Sequence, residues 1–585
     1  MPKAKEANKE KAEKPAAFNL DVFRHSTAHL FAHAVSELYP DAKPTIGPPV
    51  EEGFYYDFAD LAITPADFPK IEKKMQEIVA KNYKFEKIEL SPQEAKKLFR
   101  NNKFKLEMIE EFLAAGDKLT AYKDGNFIDL CRGPHVKSTG EIKAFKLTKL
   151  AGAYWRGDVK NEQLTRVYGI SFPTEKELGQ YLALLAEAEK RDHRKIGAQQ
   201  ELFSIQEEGP GFIFWHPNGM TLINSLLDFW RAEHIKHGYK EIKTPIILNN
   251  KLWQQSGHWD HYKESMYFTK IDNQEFAVKP MNCPGSILVY KSRARSYKEF
   301  PLRLSELGLV HRRELAGVVS GLFRVRSFTQ DDAHIYCTEE QIKSEVTNLV
   351  KFIDGFYKKF GFTYRVELST KPEKAMGDAK LWKKAEDALA GSLKSLNLKY
   401  DISAGGGAFY GPKIDFHIKD SLGRSWQCAT IQLDFQMPER FDLRYMAEDG
   451  TNNHRPVIIH RTILGSLERF IGILIEHFAG KWPLWLSPEQ VRVLTISDRF
   501  DSWAEKAVEQ LKLAGIRVEF DGSAQTIGKK IRDAQLSQIN YILVIGEKEQ
   551  GNKTVNVRAR SGEVLGELKV EPFLDRILKE IAEKK

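Results

Sequence analysis

The stretch FTQDDAHIYC at residues 328–337 places an aromatic ring and three polar side chains at alternate positions. Alternate residues of a β-strand lie on the same face of its sheet. Four side chains therefore share one face if this segment is a strand: Phe328, Gln330, Asp332 and His334. The surrounding region, about 195–487, sets further short strands (FAVKP, IDFHI and VIIHR) among longer helices and carries charges along apolar stretches. We expect the chemistry of the protein to be located there.

Length and composition favour a multidomain globular protein. A chain of 585 residues that is 42% hydrophobic can bury several cores. Its four cysteines are too few and too scattered for a disulfide framework, which fits reduced thiols in the cytoplasm. No apolar run approaches the roughly 20 residues of a membrane span, and no signal peptide is expected. The net charge of +8 fits an anionic partner bound by local basic surfaces, or an ordinary solvated surface.

Composition shifts along the chain predict its domain organisation. The N-terminus is rich in Lys, Glu and Ala without an apolar stripe, so it cannot bury enough surface to become ordered. Thr174 precedes Glu177 by three residues, which is a capping box at the start of a long helix. The last hundred residues alternate strand and helix, as a small α/β unit does. We expect a disordered tail at 1–19, an α+β domain at 20–171, a linker helix at 172–195, a central domain at 196–487 and an α/β domain at 488–585.

Three segments of the central domain carry residue types that suit a nucleotide. They are HRRE at 311–314, RVRSF at 324–328 and ILGSLERFIG at 463–472. Arginine offers a planar fork to phosphate oxygens, glutamate can accept from an adenine amino group, and Phe328 offers a face for stacking. Each is weak alone, since Arg-x-Glu is often a surface ion pair and a glycine before a helix is often a cap. Together they indicate a nucleotide clamp, whereas a P-loop or Rossmann fingerprint is missing.

These segments, with YKEIKTPIILNNKLW ahead of them, resemble the three signature motifs of class II aminoacyl-tRNA synthetases. KPMNCPG, FTQDDAHIYCTEEQI, GAFYGPKIDF and ATIQLDFQMPERF are similar specifically to threonyl-tRNA synthetases, and the resemblance covers nearly the whole chain. It implies a catalytic core built on an antiparallel sheet, an N-terminal α+β editing domain and a C-terminal α/β anticodon-binding domain. Pro245 would close the first motif at a homodimer interface, Arg312 and Glu314 belong to the second, and Glu468 and Arg469 end the third.

The resemblance implies a ligase that converts L-threonine and Mg-ATP to threonyl-adenylate and transfers threonine to the 3′ end of tRNA(Thr). Arg312 would hold the α-phosphate and Arg469 the γ-phosphate, because positioning and charge neutralisation supply most of the catalysis. His258 matches the residue near the attacking tRNA hydroxyl, with a structural histidine as the competing interpretation. The implied ATP-binding residues are Arg312, Glu314, Arg324, Phe328, Gln427 and Arg469.

The resemblance also makes Cys283, His334 and His460 the protein ligands of one zinc ion per subunit. From the residues alone, His334 would more often be a buried structural histidine. Three N/S ligands leave positions open on zinc, so the amino and β-hydroxyl groups of threonine could both bind. Valine lacks that oxygen and would be rejected. The residues implied to contact threonine, with Asp332 on its ammonium group, are Gln330, Asp332, Tyr410, Lys413 and Gln432.

Serine carries the same hydroxyl and lacks only a methyl group, worth about 1–3 kcal/mol, so a second site that removes serine is expected. HSTAHLFAHAV puts His25, His29 and His33 on one helical face, and DLCRGPH adds further polar groups. From the residues alone a zinc hydrolase comes first, although H-x-x-x-H lacks the glutamate of a metalloprotease. Whether a metal is bound stays open. The resemblance implies a pocket that hydrolyses seryl-tRNA(Thr), lined by His29, His33, Asp129, Cys131 and His135.

The C-terminal segments GEKE and VRAR match regions that meet the anticodon loop, with Glu549 and Arg558 as the expected contacts. A solvated basic face is the alternative. The chain departs from the family pattern at Ser286, where histidine is usual, and at Ala524, where asparagine is expected. We also expect it to lack the small ubiquitin-like domain that most bacterial members carry ahead of the editing domain.

Two other functions remain open at this point. A catalytically silent RNA-binding paralogue would have lost motif arginines or zinc ligands, all of which are present here. A class II synthetase for proline or serine would not carry the Cys/His/His set.

Overall fold

The computed structural model describes residues 19–50, 53–158 and 160–585. The expected disordered tail at 1–19 lies outside these ranges except for Asn19. The chain divides into two compact units, Met1–Ala186 and Glu187–Lys585. Within the described ranges, no helix is both long enough and apolar enough to cross a membrane.

The first unit is an α+β domain, as expected. Strand order in its larger sheet is β1-β3-β8-β7, with β2 paired to β3, and a smaller sheet has the order β4-β5-β6. The elements are α1 (Leu20–Leu38), β1 (Lys43–Pro44), β2 (Pro49–Val50), β3 (Gly53–Ala59), α2 (Phe68–Lys81), β4 (Glu86–Glu89), α3 (Pro92–Leu98), α4 (Lys103–Ala114), β5 (Thr120–Asp124), β6 (Phe127–Leu130), β7 (Ala144–Tyr154), β8 (Gln163–Phe172) and α5 (Glu175–Lys190).

Helix α1 confirms the helix predicted over HSTAHLFAHAVSEL. The Asn19 side chain caps it by accepting from the N–H groups of Asp21 and Val22. Its apolar residues, among them Phe31, join a buried cluster with Phe54 of β3. This packing fixes the helix on the larger sheet.

The predicted linker helix is two helices. The capping box is confirmed, because Glu177 N–H donates to Thr174 Oγ1 and Thr174 N–H donates to the Glu177 carboxylate. Helix α5 ends at Lys190, and the Asp192 side chain then accepts from Arg194 N–H at 2.8 Å and starts a new helix. The boundary between the compact units falls inside α5.

The second unit contains an eight-stranded sheet, whose strand order is β11-β15-β16-β21-β20-β19-β17-β18. Its six central strands pair antiparallel. The predicted strands FAVKP, IDFHI and VIIHR are confirmed in β14, β19 and β21. The elements are α6 (His193–Gln199), β9 (Phe203–Ser204), β10 (Phe214–Trp215), α7 (Pro217–Lys236), β11 (Lys240–Glu241), β12 (Ile247–Asn249), α8 (Asn250–Ser256), α9 (His258–Tyr262), β13 (Tyr267–Ile271), β14 (Gln274–Val278), α10 (Cys283–Lys291), β15 (Leu302–His311), β16 (Ser327–Cys337), α11 (Ile342–Lys359), β17 (Thr363–Ser369), α12 (Ala379–Ser395), β18 (Asp401–Ser403), β19 (Lys413–Lys419), β20 (Ser425–Asp434), α13 (Gln436–Arg440), β21 (Val457–Thr462) and α14 (Leu467–Phe478).

The C-terminal residues form the predicted α/β arrangement. Strand order is β23-β22-β24-β25-β26, and β22 pairs parallel with both β23 and β24. Helices alternate with the parallel strands and bury apolar faces against them. The elements are β22 (Val491–Thr495), α15 (Asp501–Leu513), β23 (Val518–Asp521), α16 (Ile527–Leu536), β24 (Tyr541–Ile545), α17 (Glu547–Asn552), β25 (Val555–Ala559), β26 (Val564–Leu568) and α18 (Val570–Glu583).

Candidate active sites

The adjacent acids of β16, Asp331 and Asp332, have different surroundings, because successive strand residues lie on opposite faces. Asp332 shares its face with Gln330 and His334, and its Oδ2 accepts from Asn282 Nδ2 at 3.3 Å. Burial raises the pKa of Asp332 to about 6. A cation beside this carboxylate would favour its ionised form, so the position suits an ammonium group.

Asp331 ties β16 to the turn before α14. Its carboxylate accepts from three consecutive backbone N–H groups, those of Ile463 (2.9 Å), Leu464 (3.0 Å) and Gly465 (2.9 Å). Trp230 Nε1 donates to it from α7 at 3.2 Å. This role could not be predicted from the sequence, because strand alternation places Asp331 on the other face without revealing its partners.

Glu468 and Arg469 lie side by side at the start of α14 and make different contacts. The Glu468 carboxylate accepts from Thr329 N–H at 3.0 Å, and burial raises its pKa to about 7. Arg469 lines a cavity and donates from Nε to the backbone oxygen of Phe323 at 3.0 Å. Glu468 therefore holds β16, while the Arg469 guanidinium is available to a ligand.

This cavity has a volume of about 370 Å³. Arg312 lies over the ring of Phe328, 5.0 Å from its centroid, and Arg324 Nε donates to Glu314 at 3.0 Å. Arginines and an aromatic face in one cavity suit a nucleoside triphosphate. Its wall contains every residue expected to bind ATP: Arg312, Glu314, Arg324, Phe328, Gln427 and Arg469.

Cys283, His334 and His460 come together although they are far apart in the chain. His334 and His460 are directly opposite each other on β16 and β21, and Cys283 is the first residue of α10. One donor atom from each lies within 4.8 Å of the others, and all three side chains are buried. Burial raises the pKa of the Cys283 thiol well above its usual range and lowers that of His334 well below it.

The surroundings of these donors fit a zinc ion. Both ring nitrogens of His334 are buried and have no hydrogen-bond partner among the described residues. Nε2 of His460 lies 2.9 Å from Oδ2 of Asp434, the kind of carboxylate that orients a metal-bound imidazole. One thiolate and two imidazoles form a donor set typical of zinc with positions left open.

The residues expected to contact threonine extend from this cluster across the sheet. Gln432 is opposite His460, and Lys413 is opposite Gln432, so the row continues over β20 and β19. The ring of Tyr410 lies 5.3 Å from that of His460. Asp415, whose role was not predicted from the sequence, accepts from Lys413 Nζ and from Gln427 Nε2, each at 2.6 Å.

His258 is buried beside the Cys/His/His cluster. Its Nε2 lies 3.8 Å from Cys283 Sγ and 2.9 Å from Met281 Sδ, and its Nδ1 lies 2.8 Å from Ser256 Oγ. Burial lowers the pKa of His258 to about 3, so its imidazole is neutral at physiological pH. Its expected role at the tRNA hydroxyl stays a prediction.

The first unit contains a second cavity of about 610 Å³. Its wall includes His29 and Asp129 from the expected set, and also Lys105 and Tyr56. Lys105 Nζ lies 2.7 Å from Asp129 Oδ1, and the Tyr56 hydroxyl donates to the same carboxylate. Lys105 and Tyr56 lie in α4 and β3, where no local pattern distinguished them from ordinary helix and strand residues.

Cys131 lies in the same wall between two histidines. Its Sγ is 3.4 Å from Nε2 of His25 and 3.2 Å from Nε2 of His135, and it accepts from Gly133 N–H at 3.3 Å. Burial raises the pKa of Cys131 to about 11 and lowers that of His135 to about 2. The site therefore holds a neutral thiol and a neutral imidazole at physiological pH.

His33 is not among the residues that line this cavity, and its expected place in the editing pocket stays a prediction. It is one helical turn beyond His29 on α1, and its Nδ1 lies 2.7 Å from Oδ2 of the buried Asp124. His135 is also outside the wall and reaches it through its contact with Cys131.

The expected anticodon contacts, and the two positions that depart from the family pattern, have the following surroundings. Glu549 Oε2 accepts from Gly546 N–H at 3.0 Å and so caps α17. Arg558 is on β25, with a buried Nε that has no partner within the described ranges. The Ser286 and Tyr336 hydroxyls are 3.0 Å apart in the core, while Ala524 is exposed.

Comparisons with known proteins agree with this geometry. Residues 267–478 match the class II core domain model of tRNA synthetases (G, H, P, S and T), residues 490–580 match an anticodon binding domain, and residues 119–168 match the threonyl and alanyl tRNA synthetase second additional domain. The predicted domain boundaries enclose these matches but stay predictions.

Similar proteins cover nearly the whole chain. A threonine–tRNA ligase of Clostridium tetani is 57% identical over 561 residues, which are 95% of this chain and 88% of that protein. A threonine–tRNA ligase of Caldanaerobacter subterraneus is 55% identical over 566 residues, 96% of this chain and 88% of that protein. The crystal structure of the RNA binding domain of threonyl-tRNA synthetase from Cryptosporidium parvum matches with a TM-score of 0.65 and 43% identity, covering 66% of this chain and 98% of that one. The chain belongs to the threonine–tRNA ligase family.

Proposed function

We propose that the protein activates L-threonine with ATP, transfers it to the 3′ end of tRNA(Thr), and hydrolyses mischarged seryl-tRNA(Thr) in the first unit. One observation carries the first part of this proposal. The Cys283/His334/His460 donors and the Asp332 carboxylate lie along the same sheet face as the arginine-lined cavity. An amino acid and a nucleotide could therefore meet there with their reacting groups adjacent.

In the activation step, the protein's main contribution is to position charge. Arg312 and Arg469 would hold the α- and γ-phosphates of ATP, with Mg²⁺ bound to the nucleotide. Phe328 would stack on the adenine and Glu314 would accept from its amino group. Held in this way, the threonine carboxylate attacks the α-phosphorus and diphosphate leaves.

Cys283, His334 and His460 would hold a zinc ion, with Asp434 orienting His460. When bound, zinc supplies open coordination positions for the amino and hydroxyl groups of threonine. Asp332 would hold the ammonium group, and Gln330, Tyr410, Lys413 and Gln432 would contact the rest of the substrate. His258, neutral and buried, would lie near the tRNA hydroxyl in the transfer step.

ATP–pyrophosphate exchange with different amino acids tests this assignment. We expect exchange with threonine and with serine but not with valine, because valine lacks the hydroxyl that completes the coordination. Metal analysis should give about one zinc per chain if the buried Cys283/His334/His460 set alone holds the metal. A second zinc would point to the other such set among the described residues, His25, Cys131 and His135 in the first unit. Exchange with valine equal to that with threonine would contradict the proposed specificity. Exchange with no amino acid would favour the RNA-binding paralogue.

For the editing step, we propose that the 610 Å³ cavity binds the seryl end of mischarged tRNA. His29, Cys131, His135 and Asp129 would orient the ester and a water molecule, with Lys105 held on Asp129. The neutral thiol and imidazole suit hydrogen bonding to a neutral ester rather than nucleophilic attack by a thiolate.

Replacing Cys131 by alanine should let seryl-tRNA(Thr) accumulate while exchange with threonine continues. Cys131 lines the cavity of the first unit, whereas ATP–pyrophosphate exchange depends on residues of the second unit. We expect deacylation of preformed seryl-tRNA(Thr) to fall by about tenfold or more. Deacylation at the wild-type rate in both Cys131→Ala and His29→Ala would remove the cavity from the editing role.

The C-terminal domain would read the anticodon loop, with Glu549 and Arg558 as proposed contacts. A homodimer would form around Pro245, which is followed by the exposed Ile246 and Ile247. All four cysteines are free thiols, which suits the reducing conditions of the cytoplasm.

A further inference from the structure

A carboxylate that is fully buried connects the two histidines of H-x-x-x-H in α1. Asp124, at the end of β5, places Oδ2 at 2.7 Å from Nδ1 of His33 and Oδ1 at 3.1 Å from Nε2 of His29. The first contact is a hydrogen bond. In the second, both atoms are buried and have no other hydrogen-bond partner among the described residues. A small rotation of the His29 ring would bring its Nε2 and Asp124 Oδ1 into hydrogen-bond geometry.

The connection continues to the protein surface. Nε2 of His33, the nitrogen that does not face Asp124, lies 3.3 Å from Oε1 of Glu37. The side chain of Glu37 is 34% exposed and also contacts Lys74. His29 lines the cavity at the other end. Titratable groups therefore run in unbroken contact from the cavity wall to solvent: His29, Asp124, His33 and Glu37.

Aromatic side chains insulate the buried part of this row. The ring of Phe127 stacks on that of His33, with centroids 5.4 Å apart, and meets that of His29 edge-on at 5.1 Å. The ring of Tyr83 also stacks on that of His33, with centroids 6.2 Å apart. Packing of this kind leaves little room for water. It also holds each imidazole so that His33 has a separate nitrogen for each neighbour.

The proposed editing reaction produces a proton that must leave the cavity. Water attacks the seryl ester carbon, the new C–O bond replaces the bond to the ribose oxygen, and one water proton goes to that oxygen. The other is released, because the serine carboxyl is ionised at neutral pH. With the tRNA end in the cavity, a direct path through its opening would be obstructed.

We propose that Asp124, His33 and Glu37 form a proton path that carries this proton from His29 to solvent. This rests on the editing function proposed above. His29 takes the proton from water through its other ring nitrogen and passes one to Asp124 from Nε2. For this transfer the proton shared by Asp124 Oδ2 and His33 Nδ1 must start on Asp124, and the ring proton of His33 must start on Nε2. Asp124 then passes its proton to Nδ1 of His33 as His33 passes one from Nε2 to Glu37. His33 thus acts behind the cavity, and Asp124 and Glu37 are positioning residues that also move the proton.

Asp124→Asn tests the buried link of the path. The amide keeps the size of the carboxylate and one acceptor oxygen, with an NH₂ donor in place of the other oxygen, but it cannot relay a proton. We expect deacylation of seryl-tRNA(Thr) to fall by about tenfold to a hundredfold, and threonine-dependent pyrophosphate exchange and the melting temperature of the whole chain to stay within the wild-type range. Deacylation at the wild-type rate would overturn the proposal.

Glu37→Ala tests the exposed end, and it separates a proton path from a purely structural role. We expect deacylation to fall by about threefold to tenfold and to recover as imidazole buffer is added, because a soluble base can take the proton from His33. Glu77→Gln is the matched control, since Glu77 also binds Lys74 but makes no contact with His33. A Glu37→Ala rate that is unchanged, or that stays low at every imidazole concentration, would overturn the path.

The wild-type chain is measured first, so that the two proposals fail separately. If wild type does not deacylate seryl-tRNA(Thr), the editing function itself is wrong. If wild type deacylates and both variants match it, only the proton path is wrong.

Discussion

Arg312→Ala is expected to slow threonine-dependent ATP–pyrophosphate exchange by about a hundredfold to a thousandfold. The guanidinium lies over Phe328 in the wall of the nucleotide cavity, where it would meet the α-phosphate as negative charge moves during attack. Removing one such positioned donor from a transition state usually has an effect of this size. The loss should lie mainly in kcat, with a smaller change in the KM for threonine.

Arg313→Ala provides the matched control in the same assay. Arg313 is the next residue, is exposed and does not line the cavity. We expect its exchange rate to stay within about twofold of wild type, because surface substitutions away from a site have small effects. Equal losses in the two variants would mean that the second motif was disturbed as a whole, and the assignment of Arg312 to the phosphate would be withdrawn.

His334→Ala is expected to abolish threonine activation and to remove bound zinc. The substitution takes one of three donors from a cluster whose atoms lie within 4.8 Å of one another. Two remaining protein ligands hold zinc weakly, and the open positions for the amino and hydroxyl groups are lost with it. We expect exchange to fall by at least about a thousandfold, and metal analysis to find little zinc.

His454→Ala serves as the control for loss of an imidazole. His454 is half exposed and pairs with Asp449 away from the cluster. The His454→Ala protein should retain both zinc and threonine-dependent exchange activity. Full activity of a zinc-free His334→Ala protein would show that the cluster is structural, and the explanation of threonine specificity would then be wrong.

The features that could be predicted from the sequence, such as strand faces and helix caps, depend on short-range patterns. The period of two in FTQDDAHIYC places Gln330, Asp332 and His334 on one face of a strand, and the structure has that strand in β16. The capping box of Thr174 and Glu177 also follows from local spacing. The break at Asp192 was not predicted, because it depends on a single capping side chain in an otherwise helical sequence.

The contacts of the site could not be predicted in this way. His334 and His460 meet because two strands pair in one register, and their proximity was expected only from the family resemblance. Asp331, Asp415 and Lys105 have roles that depend on distant partners. His33 was expected in the pocket from the family resemblance, and its contact with the buried Asp124 could not be predicted from helical spacing.

The line His334–His460–Gln432–Lys413 crosses four neighbouring strands at a single level of the sheet. An insertion or deletion of one residue in β21 would move His460 to the opposite face and bring its neighbour Arg461 into the site. Evolution can therefore alter this enzyme's substrate preference by exchanging side chains along the line. A change in the length of these strands would displace this row of side chains. Length variation among related proteins should therefore be confined to the connecting loops.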